Sequence, residues 1–129
     1  KIYTAPFDVR LAEPEEKNEQ ISNVVQPDLT IVCDPSQLDD RGCLGAPDLI
    51  IEIISPTSIN LDYVKKLALY EKYRVQEYWI VHPIDHTVMV FSLGENLQYG
   101  KPDIFTEDTL LKSRVIPDLT IDLSLVFRT

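Results

Sequence analysis

A chain of 129 residues, 44% hydrophobic and 26% charged, is long enough to bury a core and falls within the size of one domain. No run reaches the roughly 18 apolar residues of a membrane helix, and the start, Lys1 to Leu11, lacks the apolar region of a secretory signal. A single domain over residues 1–129, cytoplasmic and away from membranes, is the expectation, while the net charge of -9 argues against nucleic acid, whose phosphates normally draw on a basic patch.

In chain order, Ile2 to Glu13 alternates enough to be a strand, and Pro14 to Asn23 is polar and turn-rich. Val24 to Cys33 reads as a second strand that pairs with the first as a hairpin. Pro35 to Ala46 is expected to be a surface connection. It delivers the chain into Pro47-Asp-Leu-Ile-Ile-Glu-Ile-Ile-Ser55, an apolar run with one acid in it, as in a central strand covered on both faces. Ser55 to Asn60 offers N-cap residues, and Leu61 to Tyr73 has the composition of a helix of about three turns. Glu77 to Val81 and Thr87 to Leu93 are strands around the turn His82 to His86, and the apolar pieces from Ile104 to Phe127 finish the domain edge. This order predicts an α/β domain with a mixed β-sheet, antiparallel at first and then joined through a helical crossover.

Pro-Asp-Leu occurs at Pro27, Pro47 and Pro117, each time opening an apolar run, so by itself the triplet is a strand-entry device. Glu52 is different. A carboxylate between isoleucine pairs is costly to bury unless a cation or donor network compensates it, which makes Glu52 a candidate for chemistry. The alternative is an exposed edge-strand position, or a purely structural pair with a lysine. Asp48 lies on the same strand, but at about 3.3 Å per residue its Cα is roughly 13 Å from that of Glu52, too far for easy joint ligation. Asp28 is the better partner if its strand lies beside that of Glu52, for two such carboxylates can hold one Mg²⁺, with Mn²⁺ as a substitute. Asp48 then stands behind the site or simply forms a turn.

Phosphate-ester hydrolysis also needs positive charge near the developing anion. From Asn60 to Val75 the balance turns basic, with Lys65, Lys66, Lys72 and Arg74 against Asp62 and Glu71. Lys66 shares a helical face with Asp62, Tyr70 and Tyr73, whereas Lys65 aligns with Lys72 on what looks like a solvated face. Lys66 is therefore the favoured catalytic lysine, the alternative being a surface pair with Asp62. Cys33 and Cys43 have neither metal-ligand nor redox spacing, and Pro83 separates His82 from His86. Ser55 lies in no nucleophile motif, and no glycine loop could cradle phosphate.

Gln26 to Asp34, Gly45 to Ser58, Asp62 with Lys66 and Tyr70, and Glu77 to Pro83 together closely resemble the Uma-two family of restriction-endonuclease-like proteins, within the PD-(D/E)XK nuclease superfamily. Ala5 to Leu11 and Ile116 to Phe127 look like the family's usual surroundings. The resemblance implies a restriction-endonuclease-like core. In it Asp28 and Glu52 match metal-binding acids, Lys66 matches a lysine moved from strand to helix, and Asp48 occupies a characteristic position of open role. Ile54 stands where the most familiar nuclease pattern has lysine, Arg74 where the family often has glycine, and His82 where it often has Asp. Family members usually carry a helix and an acid before the Ala5 segment. A fragment or shortened member lacking that N-terminal helix is thus expected, with one sheet face left for a partner chain or a homodimer. The implied function is Mg²⁺-dependent endonucleolytic hydrolysis of DNA, and the alternative is an inactive nuclease-like binding or assembly module. Hydrolysis of another phosphate ester is a weaker third reading.

Overall fold

The computed structural model describes residues 1–12, 23–54 and 61–128, the side chains of 61 and 62 excepted. Most of the predicted polar loop after Glu13, and the cap candidates from Ser55 to Asn60, lie outside the described residues.

Two prolines divide the predicted N-terminal hairpin. The first strand is in fact β1 (Ile2–Thr4) and β2 (Val9–Leu11), and the second is β3 (Asn23–Val25) and β4 (Leu29–Ile31). Pro6 and Pro27 fall in the two gaps, where a residue with fixed φ and no N–H interrupts a ladder. The arms still pair antiparallel, β1 with β4 through Tyr3 and Thr30, and β2 with β3 through Arg10 and Val24. Each pair enters a different sheet.

The expected surface connection is also structured. After a 3-10 turn at Pro35–Gln37, strands β5 (Leu38–Asp39) and β6 (Gly42–Leu44) form a hairpin, and β6 lies parallel to β2. The sheet order is β3-β2-β6-β5. Gly42 makes the approach, at φ 116°, where an added Cβ would strike the Asp8 carbonyl oxygen. Cys43 is thereby carried into the core with no exposed surface.

The main sheet follows the predicted order. Strand β7 (Leu49–Ile53) is joined by helix α1 (Leu61–Lys72) to its parallel neighbour β8 (Glu77–His82), and β9 (Thr87–Ser92) and β10 (Asp103–Thr106) add antiparallel edges. The order β1-β4-β7-β8-β9-β10 leaves β7 and β8 interior. Their alternation serves two faces. Ile50, Ile54, Tyr78 and Ile80 pack with Tyr70 of α1 and with Val9, Leu11 and Cys43 of the smaller sheet. Leu49, Ile51, Trp79 and Val88 pack with Leu111 and Leu123 on the other face. These last two belong to the hairpin β11 (Leu110–Lys112) with β12 (Thr120–Asp122), and to the short helix α2 (Leu123–Val126) that follows it. Full burial of each large side chain contributes on the order of 2 kcal/mol. Coverage thins near Ile53, which is 52% exposed beside a groove lined by Leu29, Val81 and Val126.

Helix α1 ends in a left-handed residue. Arg74 has φ 66°, which lets the Val75 N–H reach the Tyr70 carbonyl at 3.0 Å. This is the geometry that glycine adopts without a Cβ penalty, which accounts for glycine at this place in the resembled family. Arg74→Gly is expected to raise the unfolding free energy by about 0.5–1 kcal/mol, measured by chemical denaturation, since the Arg74 side chain is exposed and little packing is lost.

Burial pushes the Cys43 thiol up to about 11, with the nearby Arg10 opposing the shift. A thiol whose folded value lies above its unfolded 9.0 binds its proton more tightly when folded. Its contribution to stability is present below that unfolded value and is lost as pH rises through the folded one. A maleimide should label exposed Cys33 in the folded protein and Cys43 only after denaturation. Cys43→Ala should flatten the fall in stability between about pH 9 and 11.

Candidate active site

The β7 register decides where Glu52 points. With Leu49 and Ile51 committed to the face of Trp79, period-two alternation sends Ile50, Glu52 and Ile54 toward α1. Glu52 is thus held on an interior strand with 7% of its surface exposed. The edge-strand alternative does not hold.

Such a carboxylate requires compensation, and four groups approach it or its neighbour. Glu52 Oε2 meets Lys66 Nζ at 2.7 Å and accepts from the Tyr70 hydroxyl at 3.3 Å. Glu52 Oε1 accepts from the backbone N–H of Asp28 at 3.2 Å. Asp28 Oδ2 in turn accepts the Ile53 N–H at 2.7 Å. Pairing of Leu29 with Ile51 brings Asp28 alongside Glu52 just beyond the end of the ladder, so each acid takes a backbone donor from the other's strand. The structure thus brings Asp28, Glu52 and Lys66 together. Tyr70, read from the sequence only as a helix-face neighbour of Lys66, is a fourth member; its spacing of one helical turn was the available signal.

Asp48 is not in this cluster. It precedes β7 at the opposite end, where Oδ1 accepts the Cys33 N–H at 2.9 Å and its backbone N–H bonds the Ile31 carbonyl at 3.0 Å. There it ties the start of β7 to the chain leaving β4. Lys65 is exposed, Lys72 Nζ lies 5.3 Å from the centre of the Tyr73 ring, and the Tyr73 hydroxyl accepts from Asn23 at 3.0 Å. Only Lys66 of the helix lysines is found at Glu52. His82 and His86 part company, the first beside Met89 at 3.3 Å and the second bonded to Glu107 at 2.6 Å and stacked on Phe127.

A second buried acid escaped the sequence reading. Glu77, at the start of β8, has no exposed surface and is satisfied by neutral donors. The Trp79 indole N–H and the Ser113 hydroxyl donate to Oε1 at 3.0 and 2.7 Å, and the Arg114 N–H donates to Oε2 at 2.8 Å. Glu77 fastens the segment after β11 to the sheet. Glu52 differs in being compensated by a partly exposed charged side chain, which an ion could replace.

Among the described residues no group of three or more His, Cys, Asp or Glu side chains could hold a metal. The pair Asp28 and Glu52 nevertheless fits Mg²⁺, which binds through one or two carboxylates and completes its shell with water and phosphate oxygens. Both are hard oxygen donors from adjacent strands, and positive charge already sits at 2.7 Å from one of them.

The family model for Uma2, described as "Putative restriction endonuclease", matches residues 8–124. A solved structure from Anabaena variabilis, described as "a putative nuclease belonging to DUF820", superposes with a TM-score of 0.69 at 17% identity, covering 98% of this chain and 67% of that one. At that identity the likeness establishes the fold, a restriction-endonuclease-like mixed sheet with few helices. No curated protein matches the chain.

The two buried acids should respond differently to substitution. Glu77→Ala strands three donors in the core and should lower stability by about 3 kcal/mol, with Glu77→Gln losing less. Glu52→Gln should cost less than Glu77→Ala, because the Lys66 side chain is 28% exposed and can be hydrated when its partner is gone. Urea midpoints of the three variants check the order.

Proposed function

We propose that this chain, which belongs to the Uma2 family, is a Mg²⁺-dependent endonuclease that hydrolyses phosphodiester bonds of DNA by attack of water, Mn²⁺ serving in place of Mg²⁺. The observation that carries the reading is the Glu52–Lys66 contact of 2.7 Å on an interior strand, with Asp28 across the ladder. Neither packing nor register needs an acid at position 52. Isoleucines flank it on the same face.

In this reading Asp28 and Glu52 hold the ion, presenting oxygens from two strands that are hydrogen-bonded to each other and so cannot drift apart. The ion supplies Lewis acidity and a more acidic bound water. Lys66 reaches the same place from α1 on a flexible stem and places a compact charge where the phosphate becomes more negative. Its ammonium also donates to and orients the attacking water. Tyr70, one turn further along the same helix, steadies Glu52 with a neutral hydroxyl. No helix among the described residues is long and apolar enough to cross a membrane.

The net charge of -9 favours a second reading, a nuclease fold kept as a binding or assembly module without turnover. Supercoiled plasmid distinguishes the two. The protein should nick it with Mg²⁺, and Glu52→Ala and Lys66→Ala should each lose about 10² to 10³ in rate. Wild-type nicking that persists in EDTA sinks the metal-dependent mechanism, and absence of nicking with every divalent ion favours the module.

A further inference from the structure

Two side chains from one face of α1 converge on a single oxygen, Glu52 Oε2, and their characters are opposed. Lys66 is charged, lies at 2.7 Å and is 28% exposed. Tyr70 is neutral, lies at 3.3 Å and is fully buried. We propose that Lys66 is the resident counter-ion that must leave Glu52 Oε2 before a divalent cation can bind, and that Tyr70 is the positioning residue that keeps Glu52 in place through the exchange. The inference rests on Asp28 and Glu52 being the cation-holding pair.

Lys66 cannot keep its contact and share the oxygen. A cation coordinated at about 2.1 Å from Oε2 would stand within a few ångströms of the ammonium, with strong like-charge repulsion in a half-dry site. Its stem and partial exposure give the ammonium somewhere to go, toward water or a phosphate. The pair also compensates the buried Glu52 carboxylate before any ion arrives. Lys66 therefore competes with the cation that it later assists.

Tyr70 has neither the charge nor the freedom to compete. Its ring packs edge-on against Tyr78 at 4.8 Å and 75°, and Tyr78 continues the aromatic layer to Phe91 at 6.3 Å. The hydroxyl is thus fixed in space. At 3.3 Å its bond to Oε2 is long for a phenol and a carboxylate, as expected where an ammonium already occupies the closer approach. Departure of Lys66 leaves that oxygen to Tyr70, whose bond shortens and holds the carboxylate in the orientation an ion needs.

Two residues on one oxygen should therefore change cation affinity in opposite directions. Calorimetric titration of the full chain with Mg²⁺ alone, without DNA, separates them. Lys66→Met should bind about tenfold tighter than wild type and Tyr70→Phe about tenfold weaker. Lys65→Met removes the same charge from the neighbouring exposed position and should stay within about twofold of wild type. Thermal unfolding gives a second readout, in which Mg²⁺ should raise the midpoint of Lys66→Met more than that of wild type. Lys66→Met binding no more tightly than Lys65→Met, or Tyr70→Phe binding like wild type, overturns the proposal. In either case wild-type binding that is lost in Glu52→Gln leaves the metal-site reading standing. Wild type that binds no Mg²⁺, or binds it unchanged in Glu52→Gln, overturns both.

Discussion

A carboxylate buried on a central strand constrains nearly everything around it. Ionised Glu52 among isoleucines would be prohibitively expensive alone, so the elements beside β7 are arranged to compensate it. The crossover from β7 to β8 lays α1 over that face and brings Lys66 down onto Oε2. The antiparallel pairing with β4 supplies a backbone donor from Asp28 to the other oxygen. Packing of Tyr70 against Tyr78 fixes the helix at the height where its hydroxyl also reaches. If α1 were rotated so that Leu67 faced Glu52, its charge would lack this partner.

The main sheet uses its two ends differently. At the start of β7 and β8, Asp48 and Glu77 take backbone and neutral side-chain donors and tie β4 and the segment after β11 into place. At the carboxyl end of β7, Asp28 and Glu52 face each other with a lysine between helix and strand. Open α/β sheets place ligands outside the carboxyl ends of their parallel strands. β7 and β8 are parallel neighbours with Glu52 at that end. A cation-compensated acid at one end and a neutrally compensated one at the other is the arrangement expected when one end carries chemistry and the other anchors the fold.

Much of this was legible from side-chain type and spacing. An acid inside Leu-Ile-Ile-Glu-Ile-Ile contradicts the strand around it, and the distance along that strand set Asp48 aside in favour of Asp28. The four-residue step from Lys66 to Tyr70 placed both on one helical face. Other features depend on pairing partners distant in sequence. Nothing local to Val24–Cys33 says that Pro27 hands the chain from one sheet to the other. Nor does Leu38 to Leu44, with few apolar residues, announce strands that complete a second sheet against Val9 and Leu11. Glu77 passed as a polar strand start because two of its three donors, Ser113 and Arg114, lie more than thirty positions away.

The apolar residue two positions after Glu52 follows from packing. In the familiar nuclease pattern the cation comes from the position two after the acid, on the same strand face. Here that position is Ile54, which packs into the core against α1 and the smaller sheet while its N–H bonds the Val81 carbonyl at 2.9 Å. A lysine at Ile54 would bring a charge into an apolar layer already filled by Ile50, Tyr70 and Tyr78. Among the described residues the positive charge reaches Glu52 through the helix that covers this face. Lys66 meets that requirement at the price of longer reach, and the longer stem gives it the freedom to leave Glu52, a freedom a lysine packed on the strand would lack.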